Sequence, residues 1–262
     1  MIPLENDYLF KKWGIKSILM DNPSTFEYDL VIPSDLSTKN IIMIGRSDVI
    51  KRYELGIIAM KKIIEEIPSC QMNIISCPER KYEILIKGLS LEKNIRFVGF
   101  KENIEIYLKN SSLHILPSLT ESYSMVLSET KIFGIPSIIC GLDFLALAKG
   151  GTIILYDDNP ITIAKESIKI LRDDLYRKQL GKEARISMKM RKNAKIATKW
   201  IELIKSIYNG KEGQFINDSN KKNRITEKEA LIILNNQLNL LKNRKPEFQN
   251  ITLNNFINFR FK

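Results

Sequence analysis

Apolar runs rich in β-branched residues recur through the middle of the chain and predict strands. Several of them are apolar almost throughout, which is typical of parallel strands that are covered on both faces. The runs are Asn40–Ile44, Gln71–Ser76, Asn94–Val98, Leu113–Leu116, Ser137–Cys140 and Thr152–Leu155. Stretches with helical periodicity lie between them, at about 53–66, 79–90, 103–110, 123–133 and 160–173.

The regular alternation of strand and helix predicts an α/β domain over residues 40–209. Strands joined by right-handed helical crossovers form a doubly wound parallel sheet of the Rossmann-like type. Ligands of such sheets bind outside the carboxyl ends of the strands, so a site is expected in the loops that follow the strands. These loops are 45–52, 77–79, 99–103, 117–124 and 141–151.

Two flanking segments fall outside this core. Residues 1–39 are rich in turn-forming residues around one short apolar run, Ser17–Met20, and are predicted to form a last strand and a linker. Residues 210–262 form a polar, basic tail with one predicted helix, which starts at Thr226 with Glu229 completing a capping box. The helix carries leucines at Leu231, Leu234, Leu238 and Leu241. Their spacing suits packing on a partner or on the domain itself, and disorder around the helix is an equal alternative.

The net charge of +11 is the one unusual bulk property. It is compatible with a nucleic acid, an anionic membrane surface or a phosphorylated ligand as partner. Residues 210–262 hold ten Lys or Arg against five Asp or Glu, and the remaining charge is spread thinly, without stacking aromatics between the basic residues. This distribution favours a solvated basic surface, and no nucleic-acid partner is expected.

The composition is that of an ordinary soluble globular protein, with 44% apolar and 27% charged residues. The sequence has no apolar run of about 18 residues, and the segment Met1–Asp7 lacks the features of a secretory signal. The cysteines, Cys70, Cys77 and Cys140, are too scattered for a disulfide framework or a CxxC metal site. We therefore expect a cytoplasmic location.

Several common chemistries are disfavoured by the residues present. The one histidine, His114, lies inside an apolar strand and is predicted to be a hydrogen-bonded structural residue. Neither a GxxxxGK[ST] loop nor a GxGxxG fingerprint occurs, so the sequence indicates neither an ATPase nor a nicotinamide enzyme. Asp157 and Asp158 are predicted to form a turn and the cap of the next helix rather than a metal site.

Two groups of residues at strand ends remain as candidates for a ligand site. Gly45 and Arg46 follow the first predicted strand, and Lys51 precedes a helix; backbone access together with positive charge suits a diphosphate. Glu121 and Glu129 lie eight positions apart, roughly 12 Å if the segment is helical. That separation does not match the acid–base pair of a hydrolase, but it suits the two ends of one extended ligand. Amides of residues 122–124, at a helix N-terminus, would face an anion between them.

Taken in order, the motifs of the chain resemble those of the retaining group 1 glycosyltransferases of the GT-B fold. The motifs are Gly45-Arg46 with Lys51, Phe97-Val98-Gly99-Phe100, Leu116-Pro117-Ser118, Glu121-x7-Glu129 and Phe133-Gly134-Ile135-Pro136. The resemblance covers about residues 40–209. Residues 14–24 are also similar to the family's interdomain crossing, and the segment Lys199–Leu203 is similar to its C-terminal helix.

The resemblance implies a role for each matched residue. Arg46 and Lys51 would hold the donor diphosphate and stabilise the leaving group in place of a metal ion. Glu121 would contact the donor sugar, and Glu129 would bind the ribose hydroxyls. The donor phosphate itself would assist proton transfer, so neither a protein nucleophile, a metal nor a cofactor is expected. The remaining donor-binding positions are Gly45, Val98, Phe100, Ser122, Tyr123 and Ser124.

The chain also departs from the family's pattern. Ser122 and Ser124 stand where glycine is common, which narrows the pocket, and Thr130 replaces the usual alanine. Residues 1–39 are too few for the family's first domain, so we expect them to be a remnant of it and the chain to lack most of the acceptor-binding half.

Three function hypotheses stay open at this point. The first is the donor-binding portion of a hexosyltransferase, with uridine or guanosine diphosphate sugars as the favoured donors. The second is a non-catalytic nucleotide-sugar-binding module or subunit, completed by a separate acceptor-binding chain. The third is a basic nucleic-acid-associated protein. The acceptor is not identified, the activity of the chain alone stays open, and so does peripheral contact with a membrane.

Overall fold

The computed structural model describes residues 17–252 with the exception of 47, 144, 212–213, 215–226, 245–248 and 251. The strands are β1 (Asn40–Ile44), β2 (Gln71–Ile75), β3 (Ile95–Gly99), β4 (Leu113–Leu116), β5 (Ser137–Cys140) and β6 (Thr152–Leu155). The helices are α1 (Tyr53–Glu66), α2 (Glu83–Leu89), α3 (Glu105–Lys109), α4 (Met125–Ile132), α5 (Pro160–Arg172), α6 (Asp174–Met188), α7 (Asn193–Tyr208) and α8 (Glu227–Arg244). Short 3-10 helices cover Val49–Lys51, Glu79–Lys81 and Lys189–Arg191.

The strands form one sheet in the order β3-β2-β1-β4-β5-β6, and every neighbouring pair is parallel. This is the strand order of a Rossmann-type doubly wound sheet, in which the chain winds outwards from β1 in one direction and from β4 in the other. The predicted fold class is therefore confirmed. The six predicted strands are found within one residue of their expected ends.

The sheet is covered on both faces, because successive side chains of each strand point to opposite sides. Ile41 and Met43 belong to a core formed with α1 and α5, in which Tyr53, Ile57 and Ile163 are buried. The alternate residues of β1 belong to a second core with α3, α4 and α6. Burial on both faces explains why the strands read as nearly continuous apolar runs.

The N-terminal segment 17–39 lies against the domain, without regular secondary structure. Arg185 in α6 donates to the carbonyl oxygens of Tyr28, Val31 and Ile132, and its guanidinium lies over the Tyr28 ring. The run Ser17–Met20, predicted as a strand, is not one; α7 lies beside it, and the Lys199 ammonium donates to the Leu19 carbonyl.

Helix α8 packs on the domain, which decides between the alternatives left open by its leucine spacing. Leu234, Leu238 and Leu240 are buried, and Leu240 packs so closely on Gly141 that a Cβ at residue 141 would clash with it. Gln237 donates to the Gly141 carbonyl and to the Asp143 carboxylate. The predicted cap residue Thr226 lies outside the described residues. The helix therefore covers the loop that follows β5.

Candidate functional site

The site expected at the carboxyl edge of the sheet lies where β1 and β4 are neighbours. From this point the chain continues to β2 on one side and to β5 on the other, which leaves a crevice above the two strand ends. The loop after β1 supplies Gly45 to Arg52, and the loop after β4 supplies Pro117 to Ser124. A backbone hydrogen bond from the Leu119 amide to the Ile50 carbonyl, 2.7 Å long, joins the two loops.

Gly45 allows the loop after β1 to fold tightly over the strand end. Its φ of +155° is one that side-chain-bearing residues seldom adopt, and a Cβ would lie 3.1 Å from Cε of Lys51 and 3.2 Å from the Tyr53 hydroxyl. The Tyr53 hydroxyl donates to the Gly45 carbonyl at 2.6 Å. Asp48 caps the 3-10 helix by accepting from the Ile50 amide, so Lys51 is held at the end of that turn.

Lys51 and Glu121, predicted from separate motifs, form an ion pair. The Lys51 ammonium lies 2.5 Å from Oε1 of Glu121, and the side chains are only 18% and 11% exposed. A lysine and a glutamate that pair between these two loops can offer an ammonium to an anion and a carboxylate oxygen to a hydroxyl group at the same time.

The loop after β4 enters α4 through a left-handed residue. Ser124 has φ 65° and ψ 81° and precedes the first helical residue, Met125, so the helix begins later than predicted. Only half of the eight-residue interval between Glu121 and Glu129 is helical, and the 12 Å separation expected for a fully helical segment does not apply. Tyr123 is half-buried and Ser122 exposed. The amides of the first helical turn have no partner within the helix and carry its positive dipole end.

Glu129 is buried on α4, with 8% of its surface exposed. Its Oε1 accepts a hydrogen bond of 2.8 Å from the Thr25 hydroxyl, which comes from the N-terminal segment. Burial raises the pKa of Glu129, and the Thr25 hydroxyl opposes that rise. A buried carboxylate with one donor is suited to accept further hydrogen bonds from a ligand hydroxyl.

The other predicted residues lie at the same edge of the sheet. The Arg46 side chain is exposed at the end of β1. Val98 is half-buried and Phe100 is 77% exposed beyond β3, with Gly99 between them at φ 72° and its carbonyl accepting from the Ser76 amide. The structure therefore brings Lys51 and Glu121 into direct contact, while Val98 in β3 and Phe100 just after it lie two strands away from β1.

His114 is a structural residue, as predicted. It is fully buried in β4, and its Nδ1 lies 3.1 Å from the Ser137 hydroxyl. Burial, with the nearby Lys51 and Lys131 charges, lowers the pKa of His114 to about 3, so the ring is neutral at physiological pH.

The Asp157–Asp158 pair lies in the turn before α5. Asp157 accepts from the Thr162 hydroxyl and Asp158 pairs with Arg52, while Asn159 caps the helix by accepting from the Ile161 amide. Within the described residues, no group of three or more His, Cys, Asp or Glu side chains is placed to hold a metal ion. Nor is any helix there long and apolar enough to cross a membrane.

Sequence reasoning missed two residues at the site. Thr25 is 104 positions from its partner Glu129, and no local pattern indicates that contact. The side chain of Arg52 contacts the carbonyl oxygens of Pro117 and Ser118 and the Asp158 carboxylate, and no local pattern indicates these contacts between loops. The backbone conformation of Arg52, left-handed at φ 47°, is likewise invisible in the sequence.

Comparison with known proteins supplies an independent reference. The family model described as "Glycosyl transferases group 1" matches residues 27–187. The N-acetyl-alpha-D-glucosaminyl L-malate synthase of Bacillus anthracis is 29% identical over 157 residues, which are 58% of this chain and 41% of the synthase.

Solved structures agree on the fold. A glycosyltransferase from Rickettsia africae superposes with a TM-score of 0.65 at 16% identity, over 79% of this chain and 62% of that one. Anabaena HepE, crystallised with UDP and glucose, superposes with a TM-score of 0.63 at 18% identity, over 71% of this chain and 56% of that one. The chain thus spans less than two thirds of the length of each of these relatives.

Proposed function

The chain belongs to the group 1 glycosyl transferases, and from that membership we propose that its crevice binds a nucleotide-diphosphate sugar and delivers the sugar with retention of configuration. The observation that carries the proposal is the Lys51–Glu121 ion pair, which joins the loops that follow the neighbouring strands β1 and β4. The proposal concerns the donor half of the reaction, and the acceptor is not assigned.

The diphosphate is proposed to lie between the loop after β1 and the N-terminus of α4. Lys51 supplies an ammonium, the exposed Arg46 supplies a guanidinium, and the helix end supplies amide donors, including those of Tyr123 and Ser124. The buried hydroxyls of Ser118 and Ser124 have no hydrogen-bond partner among the described residues. Buried polar groups are rarely left without a partner, so these hydroxyls support a polar ligand in the crevice.

The nucleoside is proposed to extend from the diphosphate towards Glu129 and the end of β3. Glu129 would accept from ribose hydroxyls, for which its buried carboxylate is well suited. The base would rest against the backbone around Val98 and the exposed Phe100 ring. The donor sugar would then lie at Glu121, on the opposite side of the diphosphate.

The proposed reaction needs no covalent intermediate on the protein. The acceptor hydroxyl oxygen bonds to the anomeric carbon of the sugar as the bond from that carbon to the β-phosphate oxygen breaks. The acceptor proton passes to the leaving phosphate oxygen, which stays on the same face of the sugar, so configuration is retained. Lys51 and Arg46 stabilise the charge that develops on the diphosphate, which is the role a metal ion fills in other transferases.

Calorimetric titration of the chain with UDP, GDP, UMP, GMP and the matching sugar nucleotides tests the proposal. We expect selective binding of one diphosphate series, weakened at least tenfold in Glu129→Ala. Arg46→Ala should weaken the diphosphate more than the nucleoside monophosphate. Arg96→Ala, an exposed arginine on β3, provides the matched control.

The outcomes separate the competing functions. Binding that is lost in Glu129→Ala supports the donor site, and equal affinities for parent and variants contradict it. Donor binding without any transfer or donor hydrolysis would favour the non-catalytic module, which a separate acceptor-binding chain would complete.

A further inference from the structure

Arg52 occupies a backbone conformation that arginine seldom adopts. It lies between the 3-10 helix and α1 with φ 47° and ψ 48°, in the left-handed region where Cβ crowds the following carbonyl. Strained residues of this kind persist where the surrounding structure holds them in place. The Arg52 amide donates to the Val49 carbonyl as the cap of the 3-10 helix, and its side chain adds contacts of its own.

The guanidinium of Arg52 makes contacts with two other loops. Nε donates to the Pro117 carbonyl at 2.7 Å, and Nη2 donates to the Ser118 carbonyl at 3.4 Å. Nη1 lies 2.8 Å from Oδ2 of Asp158 in an ion pair whose arginine side chain is 12% exposed. The guanidinium spreads five donors over a planar fork and can reach acceptors on separate loops, whereas a lysine ammonium is a compact point charge.

These contacts tie the loop after β4 to the loop after β1. Pro117 and Ser118 are the first residues beyond β4, and Glu121 follows within the same loop. Lys51 is the residue before Arg52 along the chain. The side chain of Arg52 thus holds the Glu121 loop beside Lys51, the partner of Glu121 in the ion pair. Asp158, just before α5, binds the remaining nitrogen of the guanidinium.

We propose that Arg52 is a positioning residue for the Lys51–Glu121 pair, with Asp158 as its anchor. The proposal rests on the proposed function, in which that pair meets the diphosphate sugar. Arg52 does not itself contact the donor, because its guanidinium is engaged by protein acceptors and is mostly buried. In this respect it differs from Arg46, whose side chain is exposed at the same strand end.

The test uses Arg52→Gly, which removes the guanidinium and places glycine, a residue that adopts the left-handed region without steric strain, at this position. Ser90→Gly is the matched control, because Ser90 is exposed, lies at the end of α2 and has φ 57°. Asp158→Asn weakens the anchor alone. Each variant is titrated calorimetrically with UDP and UMP, or with GDP and GMP if the parent prefers guanosine. Amide hydrogen exchange of residues 117–124 is measured without ligand.

We expect Arg52→Gly to weaken UDP binding at least tenfold, to change UMP binding less than twofold and to speed exchange in 117–124. Asp158→Asn should act in the same direction by a smaller factor, and Ser90→Gly should change neither readout. Unchanged exchange in 117–124, or an equal loss for UDP and UMP, would overturn the positioning role. A parent chain that binds neither UDP nor GDP would instead reject the proposed function, whatever the exchange data show.

Discussion

Replacing Thr25 by valine removes the hydroxyl that donates to the buried carboxylate of Glu129 while keeping the shape of the side chain. Hydrogen bonds to charged groups contribute about 1.5–3 kcal/mol. Thr25 is itself exposed, so solvent screens the contact and we expect a loss of about 1–2 kcal/mol in the free energy of unfolding near pH 7.5. For a chain of this size that loss corresponds to a fall in Tm of about 2–8 °C.

The pH dependence of the Thr25→Val effect identifies its cause. Burial raises the pKa of Glu129, and losing the Thr25 hydroxyl raises it further. The hydroxyl stabilises the ionised carboxylate, so its contribution is present above the pKa of Glu129 and disappears as the pH falls through it. Urea denaturation of parent and variant at pH 7.5 and pH 4 measures the difference, which we expect to shrink to about 0.5 kcal/mol or less at pH 4.

Two controls make the Thr25 prediction refutable. Thr25→Ser keeps the hydroxyl and should behave like the parent at both pH values. In a Glu129→Gln background, Thr25→Val should lower the free energy of unfolding by less than in the parent, because residue 129 then carries no negative charge for the hydroxyl to stabilise. An equal loss of stability at both pH values, or an equal loss in both backgrounds, would refute the assignment of Thr25 as the donor to an ionised Glu129.

Four further changes test the fold and the site. Gly45→Ala should weaken UDP binding more than UMP binding, because its Cβ would lie 3.1 Å from Lys51; calorimetry measures both. Leu240→Ala should destabilise the chain by about 2–4 kcal/mol in urea, and no change would mean that α8 is not docked. Arg177→Met should lower the free energy of unfolding by about 3 kcal/mol, because the carbonyls of Leu36 and Ile170 lose the guanidinium as donor and that of Leu171 keeps only Lys39; an unchanged urea midpoint would contradict that role. Burial lowers the pKa of Lys131 to about 7, against 10.5 in the unfolded chain, so the free energy of unfolding of the parent rises with pH between these values. Lys131→Met should abolish that rise. The same pH dependence of stability in parent and variant would refute the burial of the ammonium.

The sheet could be predicted from the sequence because burial on both faces leaves a signal in each strand. The runs Leu113–Leu116 and Ser137–Cys140 were placed without error for this reason. Helix α6 was missed because its buried face is not a plain apolar stripe. Arg177, Gly181 and Ala184 lie on that face, with the arginine buried through hydrogen bonds to backbone carbonyls.

The candidate site could be predicted only where it follows the strand ends. Lys51 and Glu121 were found because the carboxyl ends of neighbouring parallel strands meet at one edge. Their direct pairing and the role of Arg52 depend on loop conformations, which include a left-handed residue that nothing in the local sequence requires. Thr25 was not foreseen because its contact with Glu129 depends on how the N-terminal segment lies on the domain.

A crystal structure of the chain soaked with UDP or GDP, whichever binds more tightly in solution, tests the central claim most directly. We expect the diphosphate to lie between Lys51 and the first turn of α4, with ribose hydroxyls on Glu129 and the base near Phe100. A nucleotide bound elsewhere, or bound at this edge with its ribose away from Glu129, would contradict it.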